Sequence, residues 1–471
     1  MNQYSDSRKP KMDAETWNDA FHSLLKNRGS LNDDDFSKRI TQLARRSLQH
    51  RFGFHDFVEI QQKLTQVLAK EGKLLAKFAC GRLFDVATDN RTIMEAIWET
   101  SELSSCRSPG SDGLTLEDWR YGLKDVERAR HVKELLRGDD YEPDSLRNCS
   151  IPKSSGGKRK LLIPTIEDRI IQRSIKTTIV PYLDSIFLPT SFAYRVRRDR
   201  FDALASAMVF ANKVNKPWVV AVDIKSAFPS TSKKRLMQTV RKYLHNEKIC
   251  DLVEQAFSNC SKGMPQGAPL SPVLVNLQLH HLIDKKWSKL EPGRPLLRYA
   301  DDLLVLCDSR GEAEHYYEML SKLVTQAGYR LKTNLEQSLF DASEAGDKFE
   351  WLGYEVQLKP FKVNLGEQKW FELRRRIEQL KSDHPGNEEE YVDEALFNWA
   401  KQALTPMAPS QLDSFQSKVE KLLAEVGLPT EYDPYSFHEL HDESKCHWSR
   451  AVAFAERNFP SPADADLVVV G

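Results

Sequence analysis

The chain has 471 residues, 40% of them hydrophobic, and its 68 Lys and Arg cancel 68 Asp and Glu to a formal net charge of zero. That length accommodates two or three domains of roughly 100 to 200 residues each, no stretch approaches the roughly 18 apolar residues of a membrane span, and the polar segment Met1 to Met12 is unlike a signal peptide. Seven cysteines, odd in number and without a CxxC pair, argue against a disulfide framework or a zinc ribbon, so a soluble cytoplasmic protein with reduced thiols and no membrane partner is expected.

From about Ala14 to Glu99, apolar residues such as Phe57, Ile60, Leu64, Val67 and Leu68 recur at helical spacing with few Gly or Pro, which predicts a helical N-terminal region. A turn-rich stretch, Ser104 to Gly113, leads into mixed α/β sequence with strands expected at Leu161 to Ile163, Trp218 to Asp223, Leu303 to Leu306 and Trp351 to Val356. After about Leu365 the pattern is helical again, best at Trp370 to Ser382 and Ser410 to Val426, with a polar break at His384 to Glu390 and no internal repeat.

Zero net charge conceals an uneven distribution. Ile151 to Arg200 carries eleven Lys and Arg against four acids, whereas Leu365 to Gly471 carries twenty acids against eleven bases. The basic segment is interleaved with Tyr182, Phe187, Phe192 and Tyr194, a mixture suited to phosphates and stacked bases. An ordinary solvated basic face is the competing reading.

Tyr299-Ala300-Asp301-Asp302 places two adjacent acids between the apolar runs Pro295 to Leu297 and Leu303 to Leu306, the pattern of a buried β-hairpin. Carboxylates there are costly to desolvate unless a cation neutralises them, so the turn is a candidate metal site, with a solvated Asp turn as the alternative. The β-branched run Trp218 to Val222 ends in a third acid, Asp223, which reads either as a metal ligand or as a strand-end or helix-capping Asp. Three such carboxylates can bridge two divalent ions roughly 4 Å apart that clamp the attacking and leaving oxygens of a phosphoryl transfer. Mg²⁺ suits oxygen donors of this kind.

These residues resemble those of the reverse transcriptases over roughly Arg107 to Val356. Asp223 is similar to the first catalytic acid of the palm and Tyr299-Ala300-Asp301-Asp302 to the signature hairpin that follows it. Between them lies Lys262-Gly263-Met264-Pro265-Gln266-Gly267-Ala268-Pro269-Leu270-Ser271-Pro272, similar to the family's PQG segment, with a helix expected on through Val275, Leu279 and Ile283. Ser111-Asp112-Gly113-Leu114-Thr115, Gly157 to Pro164, Asp168 to Gln172 and Ser191 to Arg195 resemble the fingers motifs, and Trp351-Leu352-Gly353-Tyr354 the primer grip.

The resemblance implies an α+β right-hand polymerase: a helical extension over 1–100, fingers and palm over 101–360, and a helical thumb with an acidic tail over 361–471. It implies Asp223, Asp301 and Asp302 as catalytic and metal-binding residues for two Mg²⁺ ions, with Mn²⁺ as a substitute. Arg159 and Lys158, with Lys153 as a weaker candidate, would neutralise the triphosphate. Gln266 and Tyr299 would contact the nucleotide, and Phe228, five residues after Asp223, would exclude a ribose 2′-hydroxyl and so favour dNTPs. Arg195, Arg197, Arg198 and Gly353 would reach nucleic acid. A solvated hairpin for the bases, a turn amide for Gln266 and a core ring for Phe228 remain the alternatives.

Departures narrow the placement. Gly328 to Ser338 lacks a Lys in the usual register, leaving Lys332 as the candidate general acid; the Asn-Ala-x-x-His and Val-Thr-Gly elements expected of retrons are not found; and the acidic C-terminal third is unlike the basic maturase region of group II intron enzymes. The expectation is a stand-alone bacterial enzyme of antiphage defence, making DNA on a dedicated noncoding RNA template, with a homo-oligomer compatible. An intron-type reverse transcriptase or maturase, and a template-independent or protein-primed DNA polymerase, are the rivals. His438, His441, Cys446 and His447 have zinc-like spacing, but neighbouring acids favour an exposed helix.

Overall fold

A computed structural model describes residues 13–50, 52–152, 158–213, 217–343, 347–428 and 434–459. The fold is α+β, as expected, and the chain forms two compact units: Met1–Ile151, Lys160–Phe187 and Phe228–Gln278 in the first, and Pro152–Arg159, Leu188–Ala227 and Leu279–Gly471 in the second. Lys153 and Gly157 lie outside the described residues.

The first unit begins with helices Ala14–Lys26, Asp33–Ser47, Phe54–Lys70, Lys73–Ala87 and Asn90–Ser101. Several are started by side-chain caps: Asp13 accepts from the Thr16 N–H, Asn32 from Asp35 and Asp89 from Arg91, each worth about 1 kcal/mol. Phe54–Lys70, Lys73–Ala87 and Asn90–Ser101 pack against the long helix Ile166–Ile186, whose Ile170, Ile171, Ile175 and Ile179 are wholly buried. Strands β1 (Arg147–Pro152) and β2 (Lys158–Ile163) pair in a two-stranded sheet. Helices Lys233–Leu244, Glu247–Gln255 and Ser271–Leu279 follow.

The second unit holds an antiparallel sheet of β3 (Trp218–Asp223), β4 (Leu297–Tyr299), β5 (Asp302–Cys307) and β6 (Leu339–Asp341), in the order β4-β5-β3-β6. Helices Arg200–Lys213 and Arg310–Gln326 both pack on it. This cover explains why β5 is a continuous apolar run instead of alternating with polar residues.

A second sheet joins β7 (Phe349–Trp351), β8 (Tyr354–Leu358) and β9 (Phe361–Leu365). One strand was expected over Trp351 to Val356; the chain instead reverses at Leu352 and Gly353, with φ 54 and 84. Left-handed φ at both central residues is the geometry of a tight two-residue hairpin, and the apolar run on either side hides it from a hydrophobicity pattern.

The expected helix through Ile283 is also modified: regular α-helix ends at Leu279 and gives way to a π-helical turn, His280–Asp284, before Lys285–Leu290. Helices Glu367–Asp383, Glu388–Leu404, Leu412–Glu425 and Pro434–Asn458 complete the unit, sharing a core that includes Trp370, Phe415 and Phe437. The last of these is not the exposed acidic helix expected from its charges. It buries Phe437, Leu440, Ala451 and Phe454, His441 Nε2 is 2.9 Å from the Met407 carbonyl, and His447 Nε2 is 2.6 Å from Asp199. Those two histidines are thereby occupied in packing.

Candidate active site

Asp223 ends β3 directly opposite Asp302 at the start of β5, and Tyr299 at the end of β4 flanks Asp302 on its other side. Between Tyr299 and Asp302 the chain reverses in two residues, Ala300 and Asp301, with Ala300 held at φ 56. Left-handed backbone at a residue with a Cβ costs about 1–3 kcal/mol and persists only where the surroundings enforce it. One end of the sheet therefore collects all three expected acids.

The backbone locks that end of the sheet. The Ile224 N–H donates to the Asp301 carbonyl at 3.0 Å, Lys225 to Arg330 at 2.8 Å, and Lys332 to Asp223 at 2.8 Å. Lys332 also places its Nζ 3.5 Å from Asp223 Oδ2.

Like charges facing each other across strands are destabilising, and the site shows it. Burial, then the charges of Asp301 and Asp223, push Asp302 up to about 7. Burial likewise raises Asp301, while Arg159, Lys332 and Arg298 draw it back. A hard, oxygen-only donor set short of positive charge fits Mg²⁺ or Mn²⁺. Among the described residues no group of three or more His, Cys, Asp or Glu forms a ready ligand cage, so the fit rests on register and electrostatics.

Other expected residues divide between the units. Arg159 and Lys158 are exposed at the start of β2. In the first unit, Phe228 is buried and its carbonyl accepts from the Met264 N–H at 2.9 Å. The Gln266 carbonyl accepts from the Leu162 N–H at 2.8 Å, and Gly267, at φ 121, lies where an added Cβ would be 3.0 Å from the Leu162 carbonyl oxygen. Gly permits that approach.

The three arginines expected at nucleic acid differ in placement. Arg195 Nη1 donates to the carbonyls of Leu188 and Ser191 at 2.7 and 2.8 Å. Arg198 lies 3.4 Å from the Phe454 ring centroid. Both serve packing within the unit, whereas Arg197 is exposed. Gly353 occupies the hairpin turn, where an added Cβ would meet Lys369 Cε at 2.7 Å.

Tyr194, one of the aromatics expected beside phosphates and bases, stands at φ 57 and is 45% exposed; burial first, then the charge of Asp301, raises its phenol toward about 12. One feature escaped the sequence reading. Arg298 is a wholly buried charge inside β4, paired with Asp284. The signal for Arg298 was present as a base set between the apolar run Pro295 to Leu297 and Tyr299.

Comparison with known proteins finds a family match and several distant relatives. Residues 151–356 match the family described as Reverse transcriptase (RNA-dependent DNA polymerase). Protein YkfC of Escherichia coli K12 is 25% identical over 343 residues, covering 63% of this chain and 87% of that protein. The Group II intron-encoded protein LtrA of Lactococcus lactis subsp. cremoris is 26% identical over 191 residues, 38% of this chain and 31% of LtrA. The Retron Ec73 reverse transcriptase of Escherichia coli is 22% identical over 227 residues, 46% of this chain and 69% of that enzyme.

Proposed function

We propose, from the match of residues 151–356 to the reverse transcriptase family, that the chain synthesises DNA on an RNA template by attack of a primer 3′-hydroxyl on the α-phosphate of a dNTP, releasing pyrophosphate. The observation that carries this reading is the cross-strand pair Asp223 and Asp302 with Asp301 in the adjoining turn.

Asp223, Asp301 and Asp302 would hold two Mg²⁺ ions, which supply Lewis-acid stabilisation of the attacking and leaving oxygens when bound. Arg159 and Lys158 balance the triphosphate's charge. Lys332, anchored to Asp223, holds a proton for the departing pyrophosphate. Gln266, Tyr299 and Phe228 are assigned to the nucleotide by their motifs, Phe228 as the ring that excludes a 2′-hydroxyl, and Arg197 and Gly353 to nucleic acid. Fingers and palm over 101–360 and a thumb beyond belong to the same proposal. No helix among the described residues is long and apolar enough to cross a membrane.

The test is primer extension on RNA with dNTPs and Mg²⁺, comparing the protein with its Asp301→Ala form. Extension by the first and loss of at least about 10³-fold in the second are expected; equal yields would overturn the reading. A Phe228→Val variant should use rNTPs at least about tenfold better relative to dNTPs.

The finer placement, antiphage defence with a dedicated noncoding RNA, is supported by the acidic C-terminal third and by the departures at Gly328 to Ser338. Sequencing the copurifying nucleic acid should recover one structured RNA species; intron boundaries would favour the maturase reading instead. DNA retained in the phenol interphase until protease treatment would favour protein priming.

A further inference from the structure

Arg298 is fully buried in β4, immediately beneath the turn that carries Asp301. Its Nε and Nη2 donate to the two carboxylate oxygens of Asp284 at 2.7 and 2.5 Å, a bidentate pair. Nη2 also donates to Ser191 Oγ at 2.9 Å, and Nη1 to the carbonyl of Ala300 at 3.1 Å. One guanidinium thus reaches three separate parts of the chain.

Each partner is itself fixed. Asp284 closes the π-helical turn His280–Asp284, and His280 Nδ1 lies 3.4 Å from its Oδ2. Single π turns within helices occur disproportionately at functional sites. Ser191 is bridged to Arg298 in parallel register, and the backbone N–H groups of Arg298 and Phe192 donate to the carbonyls of Thr190 and Arg298 at 2.8 and 2.9 Å. Ala300, the last partner, is the residue at φ 56.

A buried ion pair is weak evidence of stability, because hydrophobic residues of similar size often serve as well. Its placement under a strained turn calls for another reason. We infer that Arg298, held by Asp284 and Ser191, is a positioning residue that enforces the Ala300 turn and thereby aims the Asp301 carboxylate at the divalent ion. This rests on the metal-binding reading of Asp301 given above.

The test compares Arg298→Lys and Ser191→Ala with the unmodified protein. Lysine keeps the charge opposite Asp284, yet a single ammonium cannot span Asp284, Ser191 and Ala300 together. Mn²⁺ is the probe, its binding read by electron paramagnetic resonance, alongside steady-state primer extension. For Arg298→Lys the expected result is at least tenfold weaker Mn²⁺ binding and a kcat lowered about 10- to 100-fold, with KM for dNTP within about threefold. Ser191→Ala, which leaves the ion pair intact, should shift both quantities in the same direction by about threefold.

Mn²⁺ affinity and kcat within twofold of the unmodified protein, in a folded Arg298→Lys or in Ser191→Ala should the first not fold, would overturn the inference. An Asp301→Asn control separates the two readings. If it leaves Mn²⁺ binding intact, the metal assignment fails; if it abolishes binding while the Arg298 and Ser191 variants bind normally, only the positioning role fails.

Discussion

Lys332 grips Asp223 twice: its backbone N–H donates to the Asp223 carbonyl at 2.8 Å, and its Nζ stands 3.5 Å from Oδ2 of the same residue. The backbone bond fixes the register, so the ammonium is delivered beside the acids although Lys332 is 63% exposed. An exposed pair of this kind contributes at most about 1 kcal/mol to stability, whereas a positioned proton donor contributes roughly 10²- to 10⁴-fold in rate. Lys332→Met should therefore lower kcat by at least about 10²-fold while leaving the melting temperature nearly unchanged. Rapid-quench extension and thermal denaturation check the two halves.

Asp302 sets a pH dependence. With a folded value of about 7 against an ordinary 3.8, the metal-free protein keeps a proton that the unfolded chain has already lost between those values. Its contribution favours the fold at low pH and is lost as pH rises through about 7. Between about pH 5 and about pH 8, removal of divalent ion should therefore lower Tm most at the alkaline end, and Asp302→Asn should flatten that difference. Mg²⁺ affinity should rise over the same interval as proton and cation compete. Calorimetry with and without EDTA measures it, and a Tm difference independent of pH would contradict the assignment.

Gly267 is the backbone point of the Pro265–Gly267 segment. At φ 121 and with an added Cβ 3.0 Å from the Leu162 oxygen, Gly267→Ala should cost about 1–3 kcal/mol and disturb the Gln266–Leu162 hydrogen bond. The expected kinetic effect is a raised KM for dNTP. Gly293→Ala, where nothing lies within 4 Å of the added carbon, is the control that should leave both quantities unchanged.

Asp199 joins the last helix to Arg200–Lys213. It accepts from the Phe201 N–H at 2.8 Å, from Arg450 Nη2 at 2.8 Å, and lies 2.6 Å from His447 Nε2. Burial raises its carboxyl, but His447, the Phe201 and Asp202 N–H groups and Arg450 outweigh it, leaving the group below its ordinary 3.8. Its stabilisation is present above that value and lost as pH falls through the lower folded one. Asp199→Ala should cost about 1–2 kcal/mol at neutral pH by losing cap and pair together, and the deficit should shrink below about pH 4, as urea unfolding would show.

Sequence alone singled out the three acids that the fold brings together, because carboxylates at the ends of apolar runs are expensive without a cation, and it offered Lys332 as a candidate without its register. Strands β3 and β5 and the helical regions at both ends were legible for the same reason: hydrophobic period and chain breakers are local properties. Tertiary structure decided what depends on partners remote in the chain. Arg195 and Arg198, read as bases awaiting phosphate, are turned inward by carbonyls and by Phe454; the tail helix, read by its charge, is packed by Phe437 and tied by His447; and Arg298, a lone base in an apolar strand, gains its meaning from Asp284 and Ser191. Charge and composition are written residue by residue, but what neutralises a charge is set by contacts between distant segments, and only the folded chain supplies those.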